Sequence, residues 1–547
     1  MTQKWAQHYQ KAEDFLGSLK FAVIIILCFT SFMVAGTFVE SYYGTEFAGR
    51  LIYKTWPFMT IQGLMFLSIL FAAFRRLPPK KRLYGFYTIH SGLIIIGIGS
   101  IATYIAGIDG SIFLPPNTPN REITLSDDIF RMQMPDSGRV IIKKLPNSAF
   151  ASVLDVSHED LKLLDYYPYA DKEFRWADSE ETYPPEQSVH SGRYLIANPN
   201  VTQDFTLSLH PEAQEFESSL TMGLLTVHYL PESLAPCFAK SPASKVVLWD
   251  SRNNSCFTPE DRKASVQTSK TGNRFFVIKD GPRLLSFFPE VSPWPLDDKF
   301  QTVQNSPIRA FGQKLFEERP NLFLFGKSTS YFDKNDQKWV SQNLEEGKPI
   351  DLPWMGFELT LLEHQTQKVP TYVPVPVLPI QKNGQLIHGT DRALLVQIQN
   401  KKYWVTNNRP IALMIDGKRA QLYVTKETLT LPFEFVLTKF KMDKDPGTNN
   451  PASYESFVRL FSDKGPTDYH VYMNNPLKYD GFTFYQASYS QDNNGNYSST
   501  LSANVDPGRA IKYFGSLMLI FGAIWHYQLN FSKKTQKKKT ELIGESA

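Results

Sequence analysis

His90 is the residue whose type and position most suggest chemistry. It lies six residues into the uncharged stretch 84–108, about 9 Å along a helix that rises about 1.5 Å per residue. An ionisable side chain in an apolar run is costly and marks a functional position, and neutral imidazole is an axial ligand of haem iron. A hydrogen bond from a structural histidine is the alternative. Glycines nearby would let a helix or a flat ligand approach closely, namely Gly85, Gly92, Gly97 and Gly99.

His526 is a second candidate haem ligand. It lies five residues from the end of another apolar run, residues 511–531. If the two runs cross a membrane in opposite directions, His90 and His526 reach a similar depth, and one haem would fit between them. The alternative is that Trp525, His526 and Tyr527 form part of an interfacial aromatic belt.

The three cysteines allow a disulfide or a redox pair. Cys237 and Cys256 are separated by 18 residues and would form a structural disulfide in an oxidising compartment. Two thiols that exchange electrons are the alternative, although nothing nearby in the sequence would lower a thiol pKa. Cys28 lies inside the first apolar run, where packing is the expected role.

The sequence contains no catalytic constellation. A phosphate-binding loop, a nucleophile elbow, HExxH and CxxC are all absent. CxxCH, the haem-attachment motif, is absent as well, so this chain is not itself a c-type cytochrome. We therefore name no catalytic residue and expect no catalysis by this chain alone.

Four long apolar runs position these residues. Residues 21–39, 56–74 and 84–108 carry no charge, and residues 511–531 carry only Lys512. Each run is 19–25 residues long, enough to cross a hydrocarbon core of about 30 Å as a helix. We expect four transmembrane α-helices, although the mean hydropathy of −0.28 is too low for a chain that lies mostly in lipid.

The basic residues predict the orientation, because loops rich in Lys and Arg stay in the cytoplasm. The loop 75–83 and the tail 532–547 each carry five such residues. Both termini are therefore expected inside, with residues 109–510 on the outer side. The N-terminal residues 1–20 have one apolar helical face, which predicts an amphipathic helix on the cytoplasmic leaflet.

Residues 109–510, between the third and fourth runs, read as a large and mainly β domain, sandwich-like in architecture. Short segments rich in branched and aromatic residues recur there, and Asp416-Gly417 suits a hairpin turn. Four prolines in residues 367–380 predict an extended linker. The net charge of +4 is too small to indicate a nucleic-acid partner.

Several segments in order resemble the ResB family, the membrane component of the system II machinery of cytochrome c maturation. His90-Ser91-Gly92 lies at the family's H-x-G position, and residues 473–489 read MNNPLKYDGFTFYQASY. Residues from about 130 to 340 carry no part of the likeness. The other segments that carry it are Leu16–Lys20, Gly36-Thr37, Ile52–Phe58, Gly107–Gly110, Leu431–Glu434, Tyr454–Ser456 and Asp506–Gly508.

The resemblance implies a subunit of a membrane haem-handling complex, a cytochrome c synthase. The family works with a ResC- or CcsA-type partner that carries a tryptophan-rich WWD segment. Together they move or hold haem b, bound without a covalent bond, and support its attachment to apocytochrome c outside the membrane. The third-span histidine, here His90, is implied as a haem ligand. This chain has no WWD segment, since Trp294–Asp297 is only superficially similar.

The resemblance also implies a place in the cell. We expect a multi-pass protein of the bacterial cytoplasmic (inner) membrane with its large domain in the periplasm or its equivalent. The alternative function is a membrane-anchored scaffold that binds apocytochrome, or assists assembly, without haem of its own.

Overall fold

The computed structural model describes residues 10–544 with gaps. The gaps are residue 12 and residues 159–160, 179–189, 210–215, 236–245, 251, 254, 298, 300, 304–305, 313–318, 337, 383–384, 416, 448–450 and 493–494. Of the amphipathic helix predicted within residues 1–20, residues 1–9 and 12 lie outside the described residues, and residues 10–11 and 13–16 are helical. The chain divides into two compact units: the first is Met1–Asp171 with Pro374–Ala547, and the second is Lys172–Val373.

Four long helices form in the first unit: α1 is Leu19–Tyr43, α2 is Trp56–Phe74, α3 is Tyr84–Ala106 and α4 is Arg509–Gly544. A short 3₁₀ turn, Lys81–Leu83, leads into α3. Three segments are long and apolar enough to cross a membrane: Leu19–Tyr43, Trp56–Phe74 and Lys81–Ala106. The predicted fourth span lies in α4, whose first turn carries Arg509 and Lys512. That α4 also crosses the membrane remains a prediction.

Local signals set the ends of α1. The Ser18 hydroxyl accepts a hydrogen bond from the Phe21 backbone N–H at 3.2 Å and caps the first turn. Gly44 ends the helix with a φ of +90°, a backbone conformation that favours glycine. The chain then forms a short helix, Thr45–Ala48, and a π-helical turn, Gly49–Tyr53.

Helices α3 and α4 are antiparallel and pack backbone against backbone. A Cβ atom added to Gly92 would lie 2.7 Å from the Gly515 carbonyl oxygen, so this contact needs glycine. Because 3.6 residues make a turn, a spacing of seven keeps the glycines on one face of each helix. These glycines are Gly85, Gly92 and Gly99 in α3 and Gly508, Gly515 and Gly522 at the start of and within α4.

The rest of the described chain is mainly β. The first sixteen strands are β1 Ile108–Leu114, β2 Pro119–Met134, β3 Arg139–Lys144, β4 Ser152–His158, β5 Leu161–Asp178, β6 His190–Ala197, β7 Thr202–Ser208, β8 Ser219–Met222, β9 Leu225–Tyr229, β10 Val246–Asp250, β11 Ser255–Phe257, β12 Gln267–Thr268, β13 Arg274–Asp280, β14 Arg283–Phe287, β15 Ile308–Gly312 and β16 Asn321–Phe325. The others are β17 Ser328–Asp333, β18 Lys338–Asn343, β19 Pro349–Asp351, β20 Glu358–Thr366, β21 Lys368–Pro376, β22 Ile380–Lys382, β23 Gln385–His388, β24 Asp391–Ile398, β25 Lys401–Thr406, β26 Ile411–Ile415, β27 Lys418–Lys444, β28 Pro451–Ser462, β29 Gly465–Val471, β30 Leu477–Tyr479, β31 Phe482–Gln491 and β32 Tyr497–Val505.

In the first unit, two long strands run through two hydrophobic cores. The large sheet has the order β29-β28-β27-β2-β1-β32-β31-β30, and all eight strands contribute to one core that includes Phe435 and Phe484. The other halves of β2 and β27, with β26, close a second core against β5, β24 and β25, around Phe130 and Leu394. Strands β2 and β27 thus join the two cores, and their pairing shifts register between Thr124 and Asp128.

The second unit is also built from packed sheets. The sheet β19-β20-β6-β7 and the sheet β18-β17-β16-β9-β8 share one core, which includes Tyr194, Leu322 and Leu359. Smaller sheets, β11-β10-β15 and β12-β13-β14, enclose another core that includes Phe276 and Phe287. The prediction of a large, mainly β domain is confirmed.

Two local predictions have different outcomes. Strands β26 and β27 form the predicted hairpin, with Ile415 opposite Lys418, although Asp416 lies outside the described residues. The predicted linker over 367–380 is wrong for most of its length, because Lys368–Pro376 forms strand β21 with Val369 buried. Proline removes a backbone N–H, but a strand still forms where that N–H is not needed for pairing.

The α3–α4 contact can be tested by adding one methyl group. We expect Gly92→Ala to destabilise the protein by about 1–3 kcal/mol, because the new Cβ would clash with backbone atoms that cannot move aside. Gly63→Ala in α2 is the matched control, since a Cβ there meets nothing within 4 Å. Thermal unfolding in detergent measures both variants, and equal midpoints for the two would contradict the packing.

Candidate functional site

His90 faces a different side of α3 from the one that contacts α4. Gly97 is seven residues further along α3, so it lies within about 20° of His90 around the helix axis. A Cβ at Gly97 would meet the Phe66 ring of α2, whereas Gly92 meets α4. His90 therefore lies on the side of α3 that α2 approaches, and its side chain is half-buried.

One hydrogen bond fixes the tautomer of His90. Its Nδ1 atom lies 3.0 Å from the Phe86 carbonyl oxygen, one turn earlier in α3. A carbonyl oxygen only accepts hydrogen bonds, so Nδ1 must carry the proton. The lone pair of the neutral ring is then on Nε2, which is the form of histidine that binds a metal.

A positive charge stands close to this imidazole. The Phe86 ring packs against the His90 ring, tilted by 33°, with 3.7 Å between the centroids, and the Arg76 guanidinium lies 4.4 Å from the centroid of the same Phe86 ring. The Tyr87 hydroxyl donates a hydrogen bond to the Arg76 carbonyl oxygen and holds the basic loop against α3. An imidazole that presents Nε2 next to a cation suits a metal-containing cofactor that also carries anionic groups.

The structure does not bring His526 and His90 together. His526 lies against Gly85, on the α4-facing side of α3. Gly85 precedes His90 by five residues, which is about 7.5 Å along the axis and about 140° around it. Trp525 packs instead against Tyr84, at a centroid distance of 5.8 Å. These contacts favour the aromatic-belt interpretation of this part of α4.

In the structure, the glycines of α3 make room for other parts of the protein. Gly85, Gly92 and Gly99 receive the backbone of α4, and Gly97 receives the Phe66 ring. The close approach expected from the sequence is therefore made by protein atoms. A flat ligand would have to reach His90 between α2 and α3 or from the lipid side.

The cysteines are partly described. Cys256 is disulfide-bonded, and Cys28 is a free, exposed thiol in α1. Cys237 lies outside the described residues, so the Cys237–Cys256 pair remains a prediction. Among the described residues, no three His, Cys, Asp or Glu side chains are placed to hold a metal ion together.

A cluster of buried and partly buried charges joins the segment after α1 to the β domain. We call Glu46, Arg50, Asp128, Arg392 and Lys426 the junction cluster. The Arg50 and Asp128 side chains are only 3% and 1% exposed, and they form a direct ion pair. Arg50 also donates hydrogen bonds to Glu46 at 2.7 Å and to the Ser148 carbonyl oxygen at 3.2 Å.

The β strands supply the remaining charges. Lys426 of β27 lies opposite Asp128 of β2, just past the register shift, at 3.1 Å. Arg392 of β24 contacts the same carboxylate at 2.9 Å and contacts Glu46 at 2.9 Å. The Tyr166 hydroxyl donates a further hydrogen bond to Asp128 at 2.8 Å. Three cations thus surround two carboxylates.

The surrounding cations lower the pKa of both carboxyl groups in the cluster. Burial alone would raise the pKa of Glu46, but Arg392, Lys426 and Arg50 outweigh burial and lower the pKa to about 2. Burial likewise opposes ionisation of Asp128, and the same cations hold its pKa below its usual range. Both carboxylates therefore stay charged at neutral pH.

The sequence held only a weak signal for this cluster. Glu46 and Arg50 have the i, i+4 spacing of a helical ion pair. Their other partners are far away in the chain: Asp128 is 78 residues from Arg50, and Lys426 is 380 residues from Glu46.

A second ion pair lies where α4 meets the β domain. Lys512 donates to Asp506 at 2.8 Å and to the Thr103 hydroxyl of α3 at 3.0 Å. The Thr103 hydroxyl in turn donates to Asp506 at 2.5 Å. The single charged residue of the fourth apolar run is therefore neutralised by a carboxylate from the preceding turn.

The junction cluster predicts a large effect from a small change. Asp128→Asn should destabilise the protein by about 3–5 kcal/mol, because Arg50 would lose its buried counter-charge and keep only the partly exposed Glu46. Asp468→Asn is the control, since Asp468 also pairs with an arginine, Arg459, but is exposed to solvent. Chemical unfolding in detergent measures the stability of both variants. An equal loss of stability in the two would contradict the stabilising role of Asp128.

Acid should weaken the junction cluster in a defined pH range. The Glu46 carboxylate has a pKa of about 2 in the folded protein against 4.5 for an ordinary glutamate. Its contribution is therefore complete above about pH 4.5 and is lost as the pH falls toward 2. Wild type and Glu46→Gln should differ in unfolding midpoint at neutral pH and converge at low pH. A difference that stays constant with pH would contradict the pKa.

The chain was compared with known proteins. Residues 399–505 match the sequence model of the ResB-like family. Protein NrfI of Wolinella succinogenes is 28% identical over 215 residues, which are 37% of this chain and 23% of that protein. This chain thus covers less than a quarter of the length of that relative. The family match and the relative confirm the resemblance found in the sequence: this chain is similar to the ResB-like family over residues 399–505.

Proposed function

We propose that this chain is a non-catalytic subunit of a membrane complex for cytochrome c biogenesis. With a ResC- or CcsA-type partner that carries a WWD segment, it holds or moves haem b and supports attachment of the haem to apocytochrome c outside the membrane. The match of residues 399–505 to the ResB-like family supports the role in biogenesis. The steps that involve haem and the partner are our proposal.

The tautomer of His90 is the observation that carries the haem part of the proposal. Its Nδ1–H is used by the Phe86 carbonyl oxygen, so Nε2 is available to bind iron without further rearrangement. Arg76 lies over the same Phe86 ring and would pair with a haem propionate. Haem iron supplies the coordination chemistry, and the chain supplies one ligand, one cation and an apolar helix surface.

The proposed topology has four spans, with α4 as the fourth. The loop 75–83 and the tail 532–547 lie in the cytoplasm, and residues 109–510 lie on the outer side of a bacterial inner membrane. Three observations support it. The Lys512–Asp506 pair neutralises the cation at the start of α4, and α4 lies antiparallel to α3, as two successive spans would. The disulfide at Cys256 also suits an oxidising compartment.

His90 can be tested through the colour of the purified protein. We expect the full chain, expressed with its partner, to show a haem Soret band that is largely lost in His90→Gly, because the iron loses an axial ligand. His526→Ala is the matched control, because His526 belongs to the neighbouring helix α4 and lies against a different face of α3 from His90. This variant should keep the band. Absorption spectra at equal protein concentration measure both.

The outcome also separates the two functions that the sequence left open. If His90→Gly kept the full band, His90 would not be the ligand. If the wild-type complex carried no haem but still bound apocytochrome c, the chain would be a scaffold without haem, and the haem part of the proposal would be refuted.

A further inference from the structure

A short hairpin of the first unit exposes large apolar side chains. Strands β22 and β23 pair through Lys382 and Gln385, and Ile380 lies opposite His388. In and just before this hairpin, four apolar side chains are 37–53% exposed, namely Leu378, Ile380, Leu386 and Ile387. Water-exposed apolar groups grouped in this way mark a contact surface.

The hairpin lies at the end of a membrane-spanning helix. A Cβ atom added to Gly44 would lie 2.7 Å from the Gln381 side-chain oxygen, so strand β22 touches the residue that follows α1. The base of the hairpin is fixed to the β domain, because Asp171 accepts hydrogen bonds from the Gly389 backbone N–H at 2.8 Å and contacts His388 at 2.8 Å. The apolar residues are therefore held at the level where α1 leaves the bilayer.

A second exposed patch lies beside the same segment. The Phe150 ring packs edge-on against Phe47, which is three residues after Gly44, with 6.0 Å between the centroids. Phe150 itself is 54% exposed, and Val153 of strand β4 is 80% exposed. Two separate parts of the β domain thus present apolar side chains next to the short helix that follows α1.

We propose that the hairpin and this patch form a lipid-contacting collar that rests in the bilayer leaflet on the β-domain side. The partner is the boundary between headgroups and acyl chains, where apolar side chains on a polar scaffold bind favourably. Attachment to α1 and its following segment makes this surface continuous with a transmembrane helix. The proposal rests on α1 crossing the membrane and is independent of haem binding.

The test uses the full chain in lipid nanodiscs made with phosphatidylcholine that is brominated in its acyl chains. A fluorescent non-natural amino acid replaces Ile387, and in a second protein it replaces Val153. We expect bromine to quench both probes by about half, because residues at the headgroup–acyl boundary are within reach of the brominated carbons. The same label at Phe113, which is 47% exposed in β1, is the control. Phe113 is five residues from the start of β1, about 17 Å along the strand, and should not be quenched.

Each outcome is decisive once unfolding midpoints show that all three labelled proteins are folded. Quenching at positions 387 and 153 but not at 113 supports the collar. Absence of quenching at 387 and 153, or equal quenching at all three positions, overturns it. If bromine failed to quench the 387 probe in nanodiscs while the probe was also shielded from a water-soluble quencher, a second copy or another protein would cover the hairpin, and the lipid assignment would fail.

Discussion

The ion pair between Arg50 and Asp128 is the interaction on which the link between membrane and β domain depends. Each charge alone would be very unstable in its buried position, so the two groups hold each other in place. Arg50 comes from the turn between α1 and α2, and Asp128 comes from β2 at the point where the two cores meet. The junction cluster thus ties the first pair of helices to both β cores at one place.

The second pair of helices, α3 and α4, is held together by packing. Glycines in α3 and α4 allow the two backbones to touch, and the Asp506–Lys512–Thr103 contacts close the end of this helix pair next to the β domain. His90 lies outside this contact, on the side toward α2. The proposed haem ligand is thus placed by a helix whose opposite face contacts α4, and it lies half-buried on the side that α2 approaches.

The sequence predicted what depends on local pattern. Charge-free runs identified three helices able to cross a membrane, and branched and aromatic residues identified the β domain. It could not predict the junction cluster, because Glu46, Arg50 and Asp128 meet only when distant strands pair. It was also wrong about 367–380, where prolines suggested a linker and a strand forms. For His90 the sequence suggested a ligand, but only coordinates show which nitrogen carries the proton. The most specific block of the resemblance, 473–489, includes Phe484, which is fully buried in a β core. That block therefore contributes to packing at this position.

The contact between α3 and α4 has a consequence for biosynthesis. Roughly 400 residues separate Ala106 from Arg509, and at about 5–20 residues per second a ribosome needs about 20–80 s to make them. During that interval the glycine face of α3 has no α4 to cover it and borders lipid or other proteins. The ribosome must therefore synthesise a whole β domain before the third helix finds its permanent neighbour, and until then the glycine face of α3 is open to other contacts.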